Sequence, residues 1–473
     1  MHPSSSTWTT PTLPFIPGPA LPGRRSPINH TLCLIAAICF VFLAFVGGEH
    51  RAVAQAVDLP YPETRTKKGL QVEDVDDALQ LGIDHAALNL NLAQLIDPSG
   101  QPENPTWTVQ GETFSFRAGY LQQMDRRVAS LSREGVLVNI ILLAYLSEDP
   151  EINRILLHPE FSLDAPNRLG AFNNRSAEGK RWLTATIQFL ANRWSGQQPE
   201  LGRVCGWIVG NEVNSHWWWA NMGPVTMEQF VADYSQVVRL VHSAVRSQSA
   251  TSRIYVSLEH HWNIRFPAGN EKQAFPARDF LEHFAATIRQ EGDFDWNVAF
   301  HPYPENLFDP KFWEDDSAPV DSQAARVTFR NLPVLLRFLQ QPELTYRGQQ
   351  RRVILSEQGF HSAPTAEGER LQAAAWCYAY HLVDQLEGID AFILHRHIDH
   401  PQEGGLNLGL RRRVSDTAED FEKQFPRKPI YDCFLKAGTA QQDAAFEFAL
   451  PIIGIDSWPQ IEDEKGSGPL KKK

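Results

Sequence analysis

The stretch VCGWIVGNEVN, residues 204–214, joins a short apolar run to a polar turn that carries Asn211 and Glu212. A run of small and apolar residues that ends in glycine is typical of a buried strand in a parallel sheet. A carboxylate directly after such a strand is costly to place unless it is solvated, hydrogen-bonded or functional. The fold class therefore depends on the strands predicted on either side of this one. The candidate functional residues are those that follow the C-terminal ends of these strands.

Short apolar runs alternate with longer amphipathic ones along most of the chain. Predicted strands cover 68–71, 84–90, 136–143, 204–209, 253–258, 296–300, 352–356 and 389–394. Predicted helices cover 72–81, 117–133, 177–194, 227–247, 277–290, 322–339 and 369–386. Strand–helix units repeated in this way predict an α/β fold, a (β/α)8 TIM barrel. A doubly wound sheet is the weaker interpretation, because no glycine-rich phosphate loop follows any strand.

The longest insertions all follow strands rather than helices. They span residues 97–116, 144–176, 302–321 and 396–429. In a barrel this places them on the C-terminal face, where active sites form. We therefore expect enlarged loops around the candidate site.

The two ends of the chain differ from the barrel in composition. The apolar run 32–46 is short for a spanning helix, and small residues follow it at 52–56, so residues 1–56 are predicted to be a signal peptide. This predicts export to the periplasm or the exterior without stable membrane insertion after cleavage, and an uncleaved membrane anchor is the alternative. Residues 57–450 are predicted to form a single barrel domain, and 451–473 a flexible tail.

Charge and cysteine usage exclude several classes of protein. Lys and Arg total 44 against 56 for Asp and Glu, a net charge of −12, so nucleic acid is not an expected partner. After the signal segment only Cys205, Cys377 and Cys433 remain, widely spaced, which makes neither a disulfide framework nor a zinc motif. At most one disulfide is possible, and the oligomeric state is left open.

A second glutamate, Glu357, follows the seventh predicted strand in the segment SEQG, residues 356–359. Glu212 and Glu357 would then oppose each other across the barrel mouth. Two facing carboxylates are what glycoside hydrolysis requires: one protonates the leaving oxygen while the other attacks the anomeric carbon. The alternative for either residue alone is a loop carboxylate that caps a helix or pairs with arginine.

With Asn211 before Glu212 and with Glu357 after strand seven, the sequence resembles the clan A glycoside hydrolases. The resemblance implies that Glu212 is the acid/base, that Glu357 is the nucleophile and that Asn211 binds the sugar 2-hydroxyl. Within the clan the chain is most similar to an uncharacterised bacterial secreted family with the same NEVN and SEQG segments, which does not supply a substrate.

The strand-six segment His301-Pro302-Tyr303 is also similar to that of the clan, in which the tyrosine often hydrogen-bonds the nucleophile. The resemblance thus implies that His301 and Tyr303 line the substrate site. Two features depart from the clan. An arginine that many members carry early in the barrel is absent, and strand eight is followed by residues 395–397, HRH, in place of the usual tryptophan.

Aromatic residues follow the same strand ends as the glutamates. Trp217, Trp218 and Trp219 come shortly after Glu212, and Trp262 follows strand five. Consecutive indoles in one short loop cannot all face a core, so we expect some of them to offer a flat apolar face to a sugar ring. Packing between the loops is the alternative.

Histidines also cluster after strands, at positions 260, 261, 301, 361, 395, 397 and 400. A metal-dependent barrel hydrolase would need several such ligands. The amidohydrolase type, however, carries its H-x-H after strand one, where this chain has none. We therefore interpret His260 and His395 as sugar-binding residues and expect no catalytic metal and no cofactor. A structural cation near Asp399 and Glu403 is left open.

Together these features predict a secreted retaining glycoside hydrolase that acts on a poly- or oligosaccharide. A non-catalytic carbohydrate-binding barrel is the first alternative, because it would keep the tryptophans without needing both glutamates. A metal-dependent barrel hydrolase is the second. Sugar identity, linkage and endo or exo action are not encoded in any motif of the sequence.

Overall fold

The computed structural model describes residues 56–266, 270–415, 417 and 420–460. Its centre is a sheet of eight parallel strands: β1 Lys68–Gln71, β2 His85–Asn91, β3 Leu137–Tyr145, β4 Val204–Val209, β5 Arg253–Glu259, β6 Trp296–His301, β7 Val353–Leu355 and β8 Ile389–Leu394. Each strand pairs with its neighbours in sequence, and β1 also pairs with β8, so the sheet closes into a barrel. The predicted (β/α)8 TIM barrel is confirmed.

One main helix follows each strand: α1 Val75–Gln80, α2 Ala118–Arg133, α3 Ala177–Arg193, α4 Met227–Arg246, α5 Ala277–Gln290, α6 Pro333–Leu339, α7 Ala366–Gln385 and α8 Pro429–Lys436. Shorter helices cover Leu92–Leu95, Pro150–Leu156, His216–Trp219, Phe421–Gln424, Gln442–Phe446 and Ala449–Ile453, with 3-10 turns at Val213–Ser215 and Phe312–Glu314. The loop after β2 adds the hairpin Thr106–Val109 and Glu112–Ser115, and Leu169–Gly170 pairs with the end of β3. Most of these additions lie in loops that follow strands, as the insertion pattern predicts.

The barrel has an inner and an outer apolar layer. The inner layer is small and contains side chains from β2 to β8, among them Ile141, Ile208 and Tyr255. The outer layer lies between strands and helices and contains most of the buried indoles. Gly206 on β4 is required where the strands approach closely, because a Cβ atom there would stand 1.9 Å from Oδ1 of Asn139.

The predicted helix 322–339 is wrong over its first part, since only Pro333–Leu339 is helical. Proline lacks an N–H and fixes φ, so Pro333 suits the first turn of a helix and not its interior. The preceding segment instead pairs with the loop after β5 through the backbone. The backbone N–H of Trp262 donates to the carbonyl of Ala325, and the backbone N–H of Val327 donates to the carbonyl of His260. The insertion after β6 is therefore longer than predicted.

The C-terminal segment continues the barrel domain beyond its predicted end. Residues 451–460, placed in a flexible tail by the sequence, include part of the helix Ala449–Ile453 and pack onto α7, where the Trp458 ring stacks on His381 at 5.0 Å between centroids. The predicted signal peptide, apart from its last residue, and residues 461–473 lie outside the described residues. Among the described residues, no helix is long and apolar enough to cross a bilayer.

A buried ion cluster ties the loop after β8 to α1. The carboxylate of Asp77 accepts hydrogen bonds from Arg411 at 2.6 and 2.7 Å, from Nε2 of His397 at 2.8 Å and from the Tyr431 hydroxyl at 2.7 Å. The Nδ1 atom of His397 accepts backbone N–H bonds from Glu73 and Asp74. His397 therefore has a structural role, and the first and last units of the barrel are joined across its seam.

The three cysteines of the domain are free thiols. Cys205, Cys377 and Cys433 are all buried and none is joined in a disulfide. The barrel therefore depends on packing and on its buried ion pairs for stability.

Candidate active site

Glu212 and Glu357 meet at the C-terminal mouth of the barrel. They follow β4 and β7, and one carboxylate oxygen of each lies within 4.8 Å of the other and of a ring nitrogen of His301. Retaining glycosidases hold their carboxyl groups about 5–5.5 Å apart, whereas inverting enzymes leave about 6.5–9.5 Å for a water molecule. The nearest carboxylate oxygens of Glu212 and Glu357, within 4.8 Å of each other, are thus closer than either of these spacings and nearer to the retaining one.

Glu212 is held in a strained backbone conformation. Its φ of 40° and ψ of 50° lie in the left-handed region, which residues with a side chain adopt rarely and which is common at functional sites. Its backbone N–H donates to Oγ of Ser257 at 3.0 Å, and its Oε1 lies 2.9 Å from Nδ1 of His301. The other ring nitrogen of His301 contacts Oγ of Ser356 at 2.9 Å, so the side chain beside Glu212 is fixed at both ends.

The electrostatic environment of Glu212 favours its protonated form. Burial raises the pKa of Glu212, and the nearby charge of Glu357 acts in the same direction. The contact with His301 opposes this shift without reversing it. A carboxyl group that retains its proton can act as a general acid.

Glu357 has the opposite environment. Its Oε1 accepts a hydrogen bond from the Tyr303 hydroxyl at 3.2 Å, and its Oε2 accepts one from Nε2 of Gln71 at 3.0 Å. Burial acts to raise the pKa of Glu357, but His395, His301 and the Gln71 amide outweigh it and lower the pKa. The two carboxyl groups therefore differ in the way that a proton donor and a nucleophile require.

Tyr303 contacts the position that the clan resemblance assigns to the nucleophile. Burial, together with the charge of Glu357, raises the pKa of its phenol well above the ordinary value, so the hydroxyl remains a hydrogen-bond donor. Asn211 directly precedes Glu212 and is only 9% exposed at the base of the same turn. Tyr303 thus lies beside Glu357, and Asn211 is the neighbour of Glu212 in the chain.

The consecutive tryptophans lie at the rim of the mouth. Trp217, Trp218 and Trp219 form the short helix His216–Trp219, and all three are half-buried. The Trp218 ring stands 5.4 Å from that of Phe266, which is exposed, whereas Trp219 packs against the inner layer of the barrel. The predicted apolar platform after β4 therefore exists as a partly exposed surface.

Trp262 does not join that surface, and its prediction as a cleft residue is wrong. The side chain is 1% exposed and makes edge contacts with Phe300 and Phe338 at 6.5 and 4.9 Å between centroids. The chain turns outward after β5 to pair with residues 325–327, which directs this indole into the layer under α6. Trp262 is a core residue.

The two histidines predicted to bind sugar also need correction. His260 is buried, its ring lies against that of His261, and burial lowers its pKa to about 3, so it is a neutral interior group. His395 has both ring nitrogens engaged, Nδ1 with Oε1 of Gln71 at 2.8 Å and Nε2 with Oε1 of Glu403 at 3.1 Å. His395 therefore has no free ring nitrogen for a sugar, whereas Nδ1 of His260 is buried and has no hydrogen-bond partner among the described residues.

Two groups of side chains among the described residues have the spacing of metal ligands, the active-site group and Glu259 with His260 and His261. The Glu259 carboxylate already accepts hydrogen bonds from Asn214 at 2.6 Å, from Ser215 at 3.0 Å and from His261 at 2.5 and 2.8 Å. This donor set satisfies both oxygens without an ion. Glu259 thus supports the turn that carries Glu212.

The carboxylates considered for a structural cation have protein cations as partners. Asp399 accepts a hydrogen bond from Nζ of Lys428 at 2.8 Å, and Glu403 pairs with His395 and Arg396. These ammonium, imidazole and guanidinium groups occupy the positions that a cation would take. The loop after β8 is therefore held by ion pairs within the chain.

Sequence reasoning missed Gln71 beside Glu357, and it considered Glu403 only as a possible ligand of a structural cation. Gln71 ends β1, and a polar side chain at the end of a barrel strand was the available signal. Glu403 lies within a loop, and no pattern in the sequence separates it from an ordinary surface glutamate. Both become recognisable only when the barrel closes and brings β1 next to β8.

Comparisons with known proteins agree with this architecture. The family of unknown function DUF5722 matches residues 60–461, and the chain belongs to that family. No curated protein sequence matches the chain.

Among solved structures, a family 39 glycoside hydrolase from the gut symbiont Bacteroides cellulosilyticus WH2 is 15% identical to this chain, with a TM-score of 0.49. The match covers 83% of this chain and 64% of the hydrolase, which is less than two thirds of the hydrolase's length. The β-glucosidase from Pyrococcus furiosus is 14% identical with a TM-score of 0.49, over 80% of this chain and 86% of that one. A β-glucosidase mutant derived from a hyperthermophilic tetrameric structure is 14% identical with a TM-score of 0.50, over the same shares. The last of these, with a TM-score of 0.50, is similar to this chain in fold.

Proposed function

We propose that this member of an uncharacterised family is an exported retaining glycoside hydrolase that cleaves a poly- or oligosaccharide. The observation that carries the proposal is the pair Glu212 and Glu357, whose carboxylate oxygens lie within 4.8 Å of each other and whose pKa values are shifted in opposite directions. A purely structural pair of buried carboxylates would be expected to pair with cations, and neither has an arginine or lysine partner among the described ion pairs.

The geometry fits a two-step reaction. In the first step a carboxylate oxygen of Glu357 bonds to the anomeric carbon while the glycosidic bond breaks, and Glu212 gives its proton to the leaving oxygen. In the second step Glu212 takes a proton from water, the water oxygen bonds to the anomeric carbon, and Glu357 leaves as a carboxylate. Esterification removes the charge of Glu357, which lowers the pKa of Glu212 between the steps and suits its change from acid to base.

The rim of the mouth supports a carbohydrate ligand. Trp217 and Trp218 expose part of their indole faces beside the turn that carries Glu212. Flat aromatic faces pack against the apolar face of a pyranose while the sugar hydroxyls remain solvated or hydrogen-bonded. From the resemblance to the clan, in which an asparagine precedes the acid, we assign Asn211 to the sugar 2-hydroxyl.

Activity on a panel of aryl glycosides and polysaccharides, followed by two rescue variants, tests this function. Glu212→Gln should lower kcat by about 10²- to 10⁴-fold, and Glu357→Gln should remove turnover. With an activated aryl glycoside, azide should rescue Glu357→Gly to give a glycosyl azide of inverted configuration. The same reagent should rescue Glu212→Ala to give the retained product.

The matched control is Glu282→Gln, which removes an exposed glutamate of α5 that pairs only with Arg278 among the described residues. It should leave kcat unchanged, and all variants should keep the wild-type circular dichroism spectrum. Binding of a glycan without cleavage would instead assign a non-catalytic carbohydrate-binding barrel. Loss of activity on EDTA treatment would point to a metal-dependent hydrolase, because a carboxylate mechanism does not require the ion.

Export is tested separately from catalysis. Expression of the full chain in a bacterial host, followed by mass spectrometry of the intact product, should show a new N-terminus near residue 56. A product that keeps the apolar run 32–46 and sediments with membranes would instead support an uncleaved anchor.

A further inference from the structure

A chain of hydrogen bonds runs from the loop after β8 to Glu357. Oε1 of Glu403 lies 3.1 Å from Nε2 of His395, and Nδ1 of His395 lies 2.8 Å from Oε1 of Gln71. Nε2 of Gln71 then lies 3.0 Å from Oε2 of Glu357 and 3.4 Å from the carbonyl of Ser356. Two side chains, His395 and Gln71, thus connect a loop carboxylate to the proposed nucleophile.

The partners along this chain fix the direction of every hydrogen bond. Glu357 and the carbonyl of Ser356 only accept, so Gln71 must present its NH2 group to them and its oxygen to His395. The opposite amide orientation would place an oxygen against two acceptors and an NH2 group against the ring. Nδ1 of His395 must therefore carry a proton.

The second ring nitrogen is constrained in the same way. Glu403 is an acceptor when ionised, and the adjacent guanidinium of Arg396 pairs with it as well as with Glu73. Burial opposes the charge on Glu403, but His395 and Arg396 outweigh it and hold its pKa well below the ordinary range. Nε2 of His395 therefore also carries a proton, and a ring with two donors is an imidazolium.

We propose that His395 is a permanent imidazolium that, through the Gln71 amide, orients Glu357 and keeps it ionised for attack, an inference that rests on the proposed function. His395 does not touch the reacting atoms, so it is a positioning residue. The same cation stabilises the carboxylate that Glu357 regains when the glycosyl ester is hydrolysed. In this barrel a neutral amide backed by a buried cation thus stands beside the nucleophile.

The charges that face His395 come from several elements. Glu357 after β7, Glu403 in the loop after β8 and Arg396 act on His395 directly. The next charged groups are Glu73 after β1, which pairs with Arg396 and Arg413, and His400, which is near Arg396 and Glu403. The phenols of Tyr145 and Tyr303 lie near the same acidic groups and stay neutral, because burial and these charges raise their pKa values. Burial acts against the charged ring of His395, but the acidic groups prevail and raise its pKa.

Nitrogen-15 NMR of the histidine side chains tests the charge directly and does not require activity. With the His395 signals assigned by their loss in His395→Gln, both ring nitrogens should be protonated at pH 7.5. In Glu403→Gln the ring should lose its charged form at this pH. A singly protonated His395 in the wild type, or a ring unaffected by Glu403→Gln, would overturn the proposal.

The pH profile of kcat/KM tests the consequence for Glu357. His395→Gln keeps a hydrogen-bonding side chain but removes the charge, so the acidic limb should move to higher pH, with a loss at pH 4.5 about ten-fold greater than at pH 7. Glu422→Gln is the matched control, since it removes an exposed carboxylate of the same loop that pairs with Arg411 and Arg427. It should leave the profile unchanged.

The outcomes separate the two proposals. An active wild type with a neutral His395, or an acidic limb that does not move in His395→Gln, refutes the role of His395 alone. A wild type inactive on every glycoside, without azide rescue, refutes the proposed function even where the NMR shows an imidazolium. If the circular dichroism spectrum shows that His395→Gln is unfolded, the pH profile is measured with Glu403→Gln and Gln71→Leu instead. Both variants should move the acidic limb to higher pH.

Discussion

Removal of the Asp77 carboxylate should destabilise the barrel more than the loss of any exposed ion pair. Asp77 lies on α1 and joins the loop after β8 through Arg411, whose side chain is 0% exposed. In Asp77→Ala the guanidinium keeps Glu422, which is half exposed, and the carbonyl of Phe425. His397 and Tyr431 lose the same acceptor, so several buried donors are left without a partner at once.

The magnitude follows from which charge is left behind. Breaking a buried ion pair by removing one partner costs about 3–5 kcal/mol, because the other charge remains desolvated. Removing both charges leaves no buried ion, so Asp77→Ala combined with Arg411→Met should cost less than the sum of the two single variants by about 1–3 kcal/mol. The exposed control Glu282→Ala should change the free energy of unfolding by less than about 1 kcal/mol.

The effect also depends on pH with a defined sign. Burial acts to raise the pKa of Asp77, but the hydrogen bonds from His397, Arg411 and Tyr431 outweigh it and hold the pKa well below the ordinary range. A depressed folded-state pKa gives stability that is present above the unfolded pKa, about 3.9, and is lost as the pH falls through the folded value. The difference between wild type and Asp77→Ala should therefore be full at pH 7 and smaller below pH 3.

Urea unfolding followed by circular dichroism measures these differences at each pH. Equal destabilisation by Asp77→Ala and Glu282→Ala at pH 7 would refute the argument that the buried charge decides the cost. Strict additivity of Asp77→Ala and Arg411→Met would refute the ion pair as the source of the coupling.

Two further predictions concern the tryptophans and the glutamate pair. Trp262→Ala should lower the free energy of unfolding by about 3–5 kcal/mol without raising KM, because Trp262 is a core residue. Trp218→Ala should instead raise KM with little loss of stability, because Trp218 lies at the rim of the mouth. The reverse pattern would contradict these placements. Glu357→Gln should lower the pKa of Glu212, since it removes a nearby negative charge. Carbon-13 NMR titration of the glutamate carboxyl groups, assigned with Glu212→Gln, measures this pKa, and an unchanged value would contradict the prediction.

The barrel strands were predictable because burial on both faces imposes a local pattern. Predicted strand 253–258 corresponds to Arg253–Glu259, and 389–394 corresponds to Ile389–Leu394. The failed helix 322–339 shows the limit of this reasoning. Its first part contains apolar residues at helical spacing, but those residues pack against the loop after β5, a contact between segments more than 60 residues apart that periodicity does not record.

The positions of Glu212 and Glu357 were predictable for a related reason. Each follows a strand, and all parallel strands of a barrel end on the same face. Trp262 also follows a strand, yet it lies in the core, because the path of the chain after β5 directs it outward. The sequence therefore identifies the face that a residue occupies but not the direction in which its side chain points.

The segment HRH after β8 shows why roles at such a face need the tertiary structure. His395 faces Gln71 and Glu403, Arg396 pairs with Glu73 and Glu403, and the third residue, the buried His397, contacts Asp77. These acceptors come from three different segments, and Gln71 stands 324 positions away from His395. Three adjacent side chains thus contact Gln71 beside Glu357, two loop carboxylates and the Asp77 cluster, and these contacts form only when β1 closes against β8.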